Sequence, residues 1–276
     1  MHHLVKSAEA FLECNFHMLT MSIKSEIKNQ IATVTLNRPE VHNAFNAEMV
    51  TELTKIFTDL SKNKEVRSII LSSSGKTFCA GADLKWMQSM MNCSMEENIK
   101  DAENLAKMFA TINNCSKPVI ARVQGHAFGG GVGLISTCDI VISVETATFS
   151  LSEVRIGLVP GVISPFLLRK ISVGEARRYF LTAEKFSANE ALRIGLISKV
   201  VKDEAELDSV IKELTNNINQ NGPEATSICK KMIFEVSDLN INEAITFTTK
   251  AIADRRAGKE GQEGMKSFFE KRKPEW

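Results

Sequence analysis

The chain has 276 residues, 43% of them apolar and 24% charged, enough for one large α/β body with a helical appendage. Its 34 basic and 33 acidic side chains leave a formal charge of +1, so neither nucleic acid nor a membrane surface is expected as a main partner. Six cysteines without C-x-x-C spacing read as reduced, mostly buried thiols, and five scattered histidines without ligand spacing argue against a metal site.

Residues 1–21 are expected to form an N-terminal extension, disordered or weakly helical, with no part in the chemistry. They lack the basic segment and apolar stretch of a secretory signal, and Glu9 and Glu13 argue against an organellar leader. No apolar run reaches the ~18 residues needed to cross a bilayer. A cytoplasmic location is the resulting expectation.

Alternation over Gln30–Asn37 predicts a first strand. Asn46 then offers an N-cap to a helix carrying Met49, Val50, Leu53, Ile56, Phe57 and Leu60 on one stripe. Val66–Leu71 reads as a strand buried on both faces. It is followed by a serine-rich turn and the small-residue loop Cys79–Asp83. Residues 96–114 have the period of an amphipathic helix, and Pro118–Val123 predicts a strand leading into a glycine cluster. A helix beginning in that cluster runs through Leu134, Ile135 and Thr137; Asp139–Val144 and Ala147–Leu151 read as two more strands. From Pro165 the pattern turns helical, with capping boxes at Ser187–Glu190 and Asp203–Glu206 and helices near 203–220, 223–236, 241–256 and 259–271. The strand–helix alternation implies a parallel or mixed sheet, and its recurring strand, small loop and helix hint at a spiral. The body is expected over residues 22–205 and a C-terminal helical region over 206–276.

The chemistry concentrates in two turns. Phe128-Gly129-Gly130-Gly131-Val132-Gly133 supplies backbone with no Cβ in the way of a ligand, and Cys79-Ala80-Gly81-Ala82-Asp83-Leu84 is a second small-residue turn after an apolar strand. Two such turns, each opening a helix, can aim two free N–H groups at one oxygen, the material of an oxyanion hole. Glu153 follows the glycines by some twenty residues amid apolar Phe149, Leu151, Val154 and Ile156, which favours a raised pKa and a proton-carrying role. The competing reading for Glu153 is a salt bridge with Arg155 or a helix cap. Trp86, Phe128 and Val132 stand as candidates to line a substrate pocket, each also a natural core residue, and Gly161 leaves room for a water.

Leu36-Asn37-Arg38-Pro39 with Asn43-Ala44, Phe78-Cys79-Ala80-Gly81-Ala82-Asp83-Leu84, Gly125-His126-Ala127-Phe128-Gly129-Gly130-Gly131 and Cys138-Asp139-Ile140 together resemble the crotonase (enoyl-CoA hydratase/isomerase) superfamily. The tail from Glu263 to Arg272 is similar to that family's closing segment. The resemblance implies an α/β crotonase-like ββα spiral core with a C-terminal helical trimerisation region, assembling as a homotrimer or dimer of trimers. It implies an acyl-CoA thioester as substrate, with no cofactor beyond the coenzyme A moiety. The two oxyanion donors would be the N–H groups of Ala82 and Gly130, with Glu153 as acid/base. Coenzyme A contacts would fall near Ala44, Ala80, Ala82, Asp83 and Leu84, and in the tail at Phe268 or Lys271. Many hydratases of the family carry a second glutamate where this chain has Gly133. That glycine and the departure from P-G-x-G-G after Glu153 resemble a subgroup hydrating branched enoyl-CoAs, such as methylglutaconyl-CoA, in leucine or terpenoid breakdown. Three readings stay open: hydratase, double-bond isomerase using Glu153 alone, and a non-catalytic acyl-CoA binder.

Overall fold

The computed structural model describes residues 22–276, so the expectation for the N-terminal extension lies outside the described residues. A hairpin of β1 (Ile23–Lys28) and β2 (Ile31–Leu36) opens the fold. β1 pairs antiparallel with β2 and forms the sheet edge, where Ile23 alone of its residues is buried and the exposed charges of Lys24, Glu26 and Lys28 discourage further pairing. β2 buries Ala32, Val34 and Leu36 on one face.

Helix α1 (Ala47–Lys62) starts at Asn46, whose side chain accepts the Met49 N–H, and buries Met49, Val50, Leu53, Phe57 and Leu60. The chain then winds through repeated units. β3 (Ser68–Ser73) joins β2 in parallel and β4 (Thr77–Cys79) joins a second sheet. Helices α2 (Leu84–Met90) and α3 (Met95–Asn113) follow. β5 (Val119–Val123) returns to the first sheet and β6 (His126–Phe128) to the second, before α4 (Gly130–Ser136). β7 (Ile140–Val144) and β8 (Thr148–Ser150) repeat the move.

The result is a spiral of two sheets. The six-stranded sheet has the order β1-β2-β3-β5-β7-β10 and the four-stranded sheet β4-β6-β8-β9, where β9 is Phe186–Ser187 and β10 is Lys199–Val201. Those two short strands lie in the region read from sequence as purely helical; at two and three residues they are too short to show a period of two. Between β8 and β10 lie α5 (Ser164–Leu167), α6 (Val173–Thr182) and α7 (Ala188–Arg193).

Helix α8 (Glu204–Gln220) lies across the first sheet and sinks Leu207 and Ile211 into the core. α9 (Pro223–Ser237), α10 (Ile241–Ala257) and α11 (Lys259–Phe269) pack mainly on one another. The caps of α7 and α8 are half-boxes. Ser187 and Asp203 accept the N–H of Glu190 and Glu206, but the Glu190 carboxylate turns to Arg193 and Tyr179, and Glu206 accepts from Lys202 N–H. No helix among the described residues is long and apolar enough to cross a membrane.

Candidate active site

Three neighbouring parallel strands of the four-stranded sheet end side by side. β6 stands between β4 and β8. β4 delivers Ala80-Gly81-Ala82, β6 delivers Gly129-Gly130, and β8 leads through Leu151 and Ser152 to Glu153. Residues far apart in sequence are thus gathered at the carboxyl ends of adjacent strands, the edge where α/β folds hold ligands.

The two turns touch. Gly81 has φ +93°, and a Cβ there would stand 3.0 Å from the Phe128 carbonyl oxygen and 3.4 Å from the Gly130 nitrogen. A Cβ on Gly131 would collide with the Cys79 carbonyl, and one on Gly130 with the Phe45 ring. The glycines are therefore a packing requirement of the junction between the turns. Phe45 fixes the first turn from behind: its N–H donates to Gly81 O (2.9 Å) and its carbonyl accepts from Asp83 N–H (3.0 Å). That parallel bridge consumes the groups on either side of Ala82. Among the described residues, neither Ala82 N–H nor Gly130 N–H donates a hydrogen bond. Gly130 opens α4, where the first N–H groups have no intrahelical partner.

Glu153 begins a single 3-10 turn, Glu153–Ile156, closed by Gly157 at φ +76°. Gly129 N–H is tied to Ser150 O at 2.9 Å, which draws the two strand ends together. A Cβ on Gly129, at φ +50°, would lie 3.2 Å from Glu153 Oε1. The carboxyl group thus faces the glycine immediately before Gly130. Its Oε2 is buried without a hydrogen-bond partner. Burial raises the Glu153 pKa above the ordinary carboxylate value, opposed only by a hydrogen bond from its own backbone. Arg155, the alternative partner weighed from sequence, donates instead to the Ala183 carbonyl (2.9 Å).

Gly133 is buried, and any side chain on it would drive into Ile163 Cγ2 and come within 3.0 Å of the Phe109 ring. Those groups occupy the space a second acid would need. Phe109 also meets Phe45 and Phe166 at centroid distances of 6.4 and 6.2 Å, and Trp86 meets Phe45 at 6.2 Å, forming an aromatic wall. Val132 is wholly buried in the core, and Trp86 packs partly buried against it. The Phe128 ring stacks on His126 (5.9 Å) with Lys185 Nζ 5.5 Å from its centroid. Gly161 is exposed, with only Val159 near its Cβ position.

The proposed coenzyme contacts divide into two groups. Ala80 and Ala82 are half-buried beside the glycine cluster, Ala44 is nearly buried, and Leu84 is 81% exposed at the start of α2. Asp83 is engaged structurally. Its Oδ1 caps α2 by accepting from Lys85 and Trp86 N–H, and its Oδ2 pairs with Arg38 at 2.9 Å. Burial works to raise its pKa, but those donors and the guanidinium outweigh it and hold it below the ordinary carboxylate value. Arg38 also donates to the Ala44 carbonyl (2.7 Å), so one side chain staples the loop at 44 to the turn at 82. Phe268, at 79% exposure, and Lys271 lie in the tail, where α11 packs on α9 and α10. Sequence reading gave no site role to Phe45, Phe109, Ile163 or Phe166, because apolar residues at helical spacing carry no sign of which surface they face.

Comparison with known proteins identifies the family and the fold. The enoyl-CoA hydratase/isomerase family profile matches residues 26–276. A short-chain-enoyl-CoA hydratase of Clostridium acetobutylicum is 35% identical over 252 residues, covering 91% of this chain and 95% of the relative. Among solved structures, an enoyl-CoA hydratase from Shewanella pealeana superposes with a TM-score of 0.90 at 36% identity, covering 94% and 98% of the two chains. A putative enoyl-CoA hydratase/isomerase (crotonase) from Legionella pneumophila gives 0.87 at 39%, covering 92% and 98%. The two-sheet spiral with its C-terminal helices is the crotonase fold, and the chain belongs to the enoyl-CoA hydratase/isomerase family of enzymes.

Proposed function

We propose that this enzyme adds water reversibly to a 2-enoyl-CoA, with Glu153 as the single acid/base and the N–H groups of Ala82 and Gly130 as the oxyanion hole. The observation that carries the reading is the desolvated Glu153 carboxyl facing Gly129, its Oε2 buried without a partner, one residue from an N–H with no acceptor of its own.

As a water oxygen bonds to Cβ, Glu153 takes its proton, and the π electrons move through Cα onto the thioester oxygen. The negative charge there is held by the two N–H groups, each such donor contributing roughly 3–4 kcal/mol to the transition state. Collapse of the enolate draws the proton from Glu153 onto Cα. The net change is H and OH added across the double bond, with the carboxylate restored. One carboxyl group suffices when both transfers occur on the same face, so Gly133 need not be an acid. Burial raises the Glu153 pKa above the ordinary carboxylate value, the direction that eases return of the proton to Cα after the carboxylate has taken it from water.

The substrate class we favour is a branched 2-enoyl-CoA such as 3-methylglutaconyl-CoA, supported by Gly133 and by the 152–165 segment that resembles the subgroup. Ala44, Ala80, Ala82 and Leu84 would line the coenzyme arm, and Phe268 or Lys271 the nucleotide end, the latter from a neighbouring subunit. Exposed Ile241, Ile245, Phe268 and Phe269 on the C-terminal helices support a homotrimer or dimer of trimers. Five free cysteines among the described residues support a reducing, cytoplasmic setting.

A second reading, Δ3-Δ2-enoyl-CoA isomerisation, is favoured by the closed space at Gly133, since shuttling a proton between carbons needs one acid only. Incubation with crotonyl-CoA and 3-methylglutaconyl-CoA decides between them. Loss of conjugated absorbance with oxygen from labelled water in the product supports hydration. Interconversion of 3-enoyl and 2-enoyl esters without label supports isomerisation. Tight ester binding with no turnover of either kind overturns both.

A further inference from the structure

Beside Phe166 of the aromatic wall lies a half-open cavity of about 430 Å³ between α9 and the body, within the size range of small-ligand sites, about 300–1,000 Å³. Phe166 belongs to both spaces: it lines the cavity and its ring meets Phe109, which in turn abuts Gly133. The remaining apolar lining includes Ile140, Ile233 and Phe234.

The charges in this cavity do not balance. Lys230 is buried and donates from Nζ to Asp139 Oδ2 (2.8 Å) and to the Lys117 carbonyl (3.1 Å). Lys170 also lines the cavity, and among the described residues its Nζ donates only to the Cys138 carbonyl, at 2.6 Å. An ammonium has three donors, so one remains on Lys230 and two on Lys170. Arg169 at the rim is matched by Asp238 at 2.8 Å. Cys138, whose thiol burial pushes up to about 12, stays neutral and supplies no counter-charge, and Cys229 lies exposed at the edge. Two inner ammoniums therefore share one carboxylate, and Asp139 is further occupied by the Val119 N–H at 2.7 Å. Burial lowers the Lys170 pKa, the cost of a cation held largely out of water with no carboxylate of its own bonded to it.

We infer that this cavity is a second ligand site, taking an aliphatic carboxylate whose head group meets Lys170 and Lys230 and whose chain lies along Phe166, Ile233 and Phe234. An apolar trough ending in two ammoniums that share one carboxylate selects a molecule with one negative end and one apolar end. A charged head restores neutrality, and charge-assisted hydrogen bonds use the idle lysine donors. The inference rests on the cavity's own residues and stands whether or not the enzyme hydrates enoyl esters.

The test is calorimetric titration of decanoate into the full chain already saturated with butyryl-CoA, a saturated ester that cannot be hydrated. The expected result is one decanoate bound per chain without release of butyryl-CoA. Decanol, of equal length and no charge, should bind more weakly by roughly tenfold or more, the loss expected when a charged hydrogen-bond partner is removed. Lys170→Met should weaken decanoate by a similar factor and leave decanol unaffected, and Lys170→Arg should restore it. Displacement of decanoate by butyryl-CoA would assign it to the catalytic cleft and overturn the inference. So would absence of binding, or equal binding of decanoate and decanol to the unaltered protein, a comparison that needs no variant to fold. Failure of butyryl-CoA itself to bind would count against the proposed function, and decanoate titrated alone would still decide the second site.

Discussion

Gly133→Ala should destabilise the protein although it replaces a helical glycine. In an open helix the change is favourable by up to about 1 kcal/mol. Here the new Cβ enters Ile163 Cγ2 and comes within 3.0 Å of Phe109 Cε1 and Cζ, all three residues being buried. Overpacking of this kind costs about 1–3 kcal/mol, and the collision with Ile163 Cγ2 puts this site at the upper end, so the net loss after the helix gain should be about 2 kcal/mol. The colliding atom is the β-branch methyl of Ile163, which leucine lacks. Ile163→Leu alone should cost under about 1.5 kcal/mol. Combined with Gly133→Ala it should recover at least about 0.5 kcal/mol relative to the sum of the single changes, the coupling expected of residues in contact. Urea denaturation of the four proteins measures this directly. A Gly133→Ala protein as stable as the parent, or single effects that simply add, would refute the argument that the second acid position is sterically closed.

Three further outcomes follow from the site. Because the folded-state pKa of Glu153 lies above its ordinary value of 4.5, the folded protein retains a proton over a window where the unfolded chain has lost it. Stability attributable to this group falls as pH rises through that window, so Glu153→Gln should be more stable than the parent above it, with a gap that widens from acid to neutral pH; a gap that narrows or reverses in denaturation midpoints would contradict the desolvation argument. Gly131→Ala should push α4 off the Cys79 carbonyl and misplace a donor, lowering kcat by roughly 10²–10³ with the fold intact by circular dichroism; unchanged kcat would show that the turns do not depend on this contact. Arg38→Met removes the partner of the buried Asp83 and should cost about 2–3 kcal/mol in denaturation and raise KM for CoA esters, whereas Arg38→Lys should recover part of each; loss of stability with KM unchanged would separate the staple from the coenzyme turn.

Much of this was readable from residue order. The long helices announced themselves by stripe and cap: Asn46 caps as expected, Asp203 forms half of its expected box, and a helix begins at Pro223 where one was read. The tight packing of the glycine cluster and the desolvation of Glu153 were legible because small residues and an isolated acid in apolar surroundings are rare enough to need a reason. The short strands β9 and β10 were not, since their pairing is set by the neighbours β8 and β7. Gly133 read as a missing acid; only the packing of Ile163 and Phe109 shows that the position is filled from outside. Asp83 read as a coenzyme contact by its place in the motif, while its carboxylate is held by Arg38 and the start of α2, forty-five residues from the arginine. Long-range partnership of this sort leaves no local mark in a sequence.

The proposed turnover rests on one carboxyl group. Glu153→Gln keeps shape and hydrogen-bonding capacity while removing the proton carrier, so steady-state turnover of crotonyl-CoA should fall by roughly 10²–10⁴ while the affinity for butyryl-CoA stays within about twofold of the parent. A variant that turns over at near-parent rate would contradict the assignment, and one that loses butyryl-CoA binding in step with turnover would show Glu153 to be part of the binding surface instead.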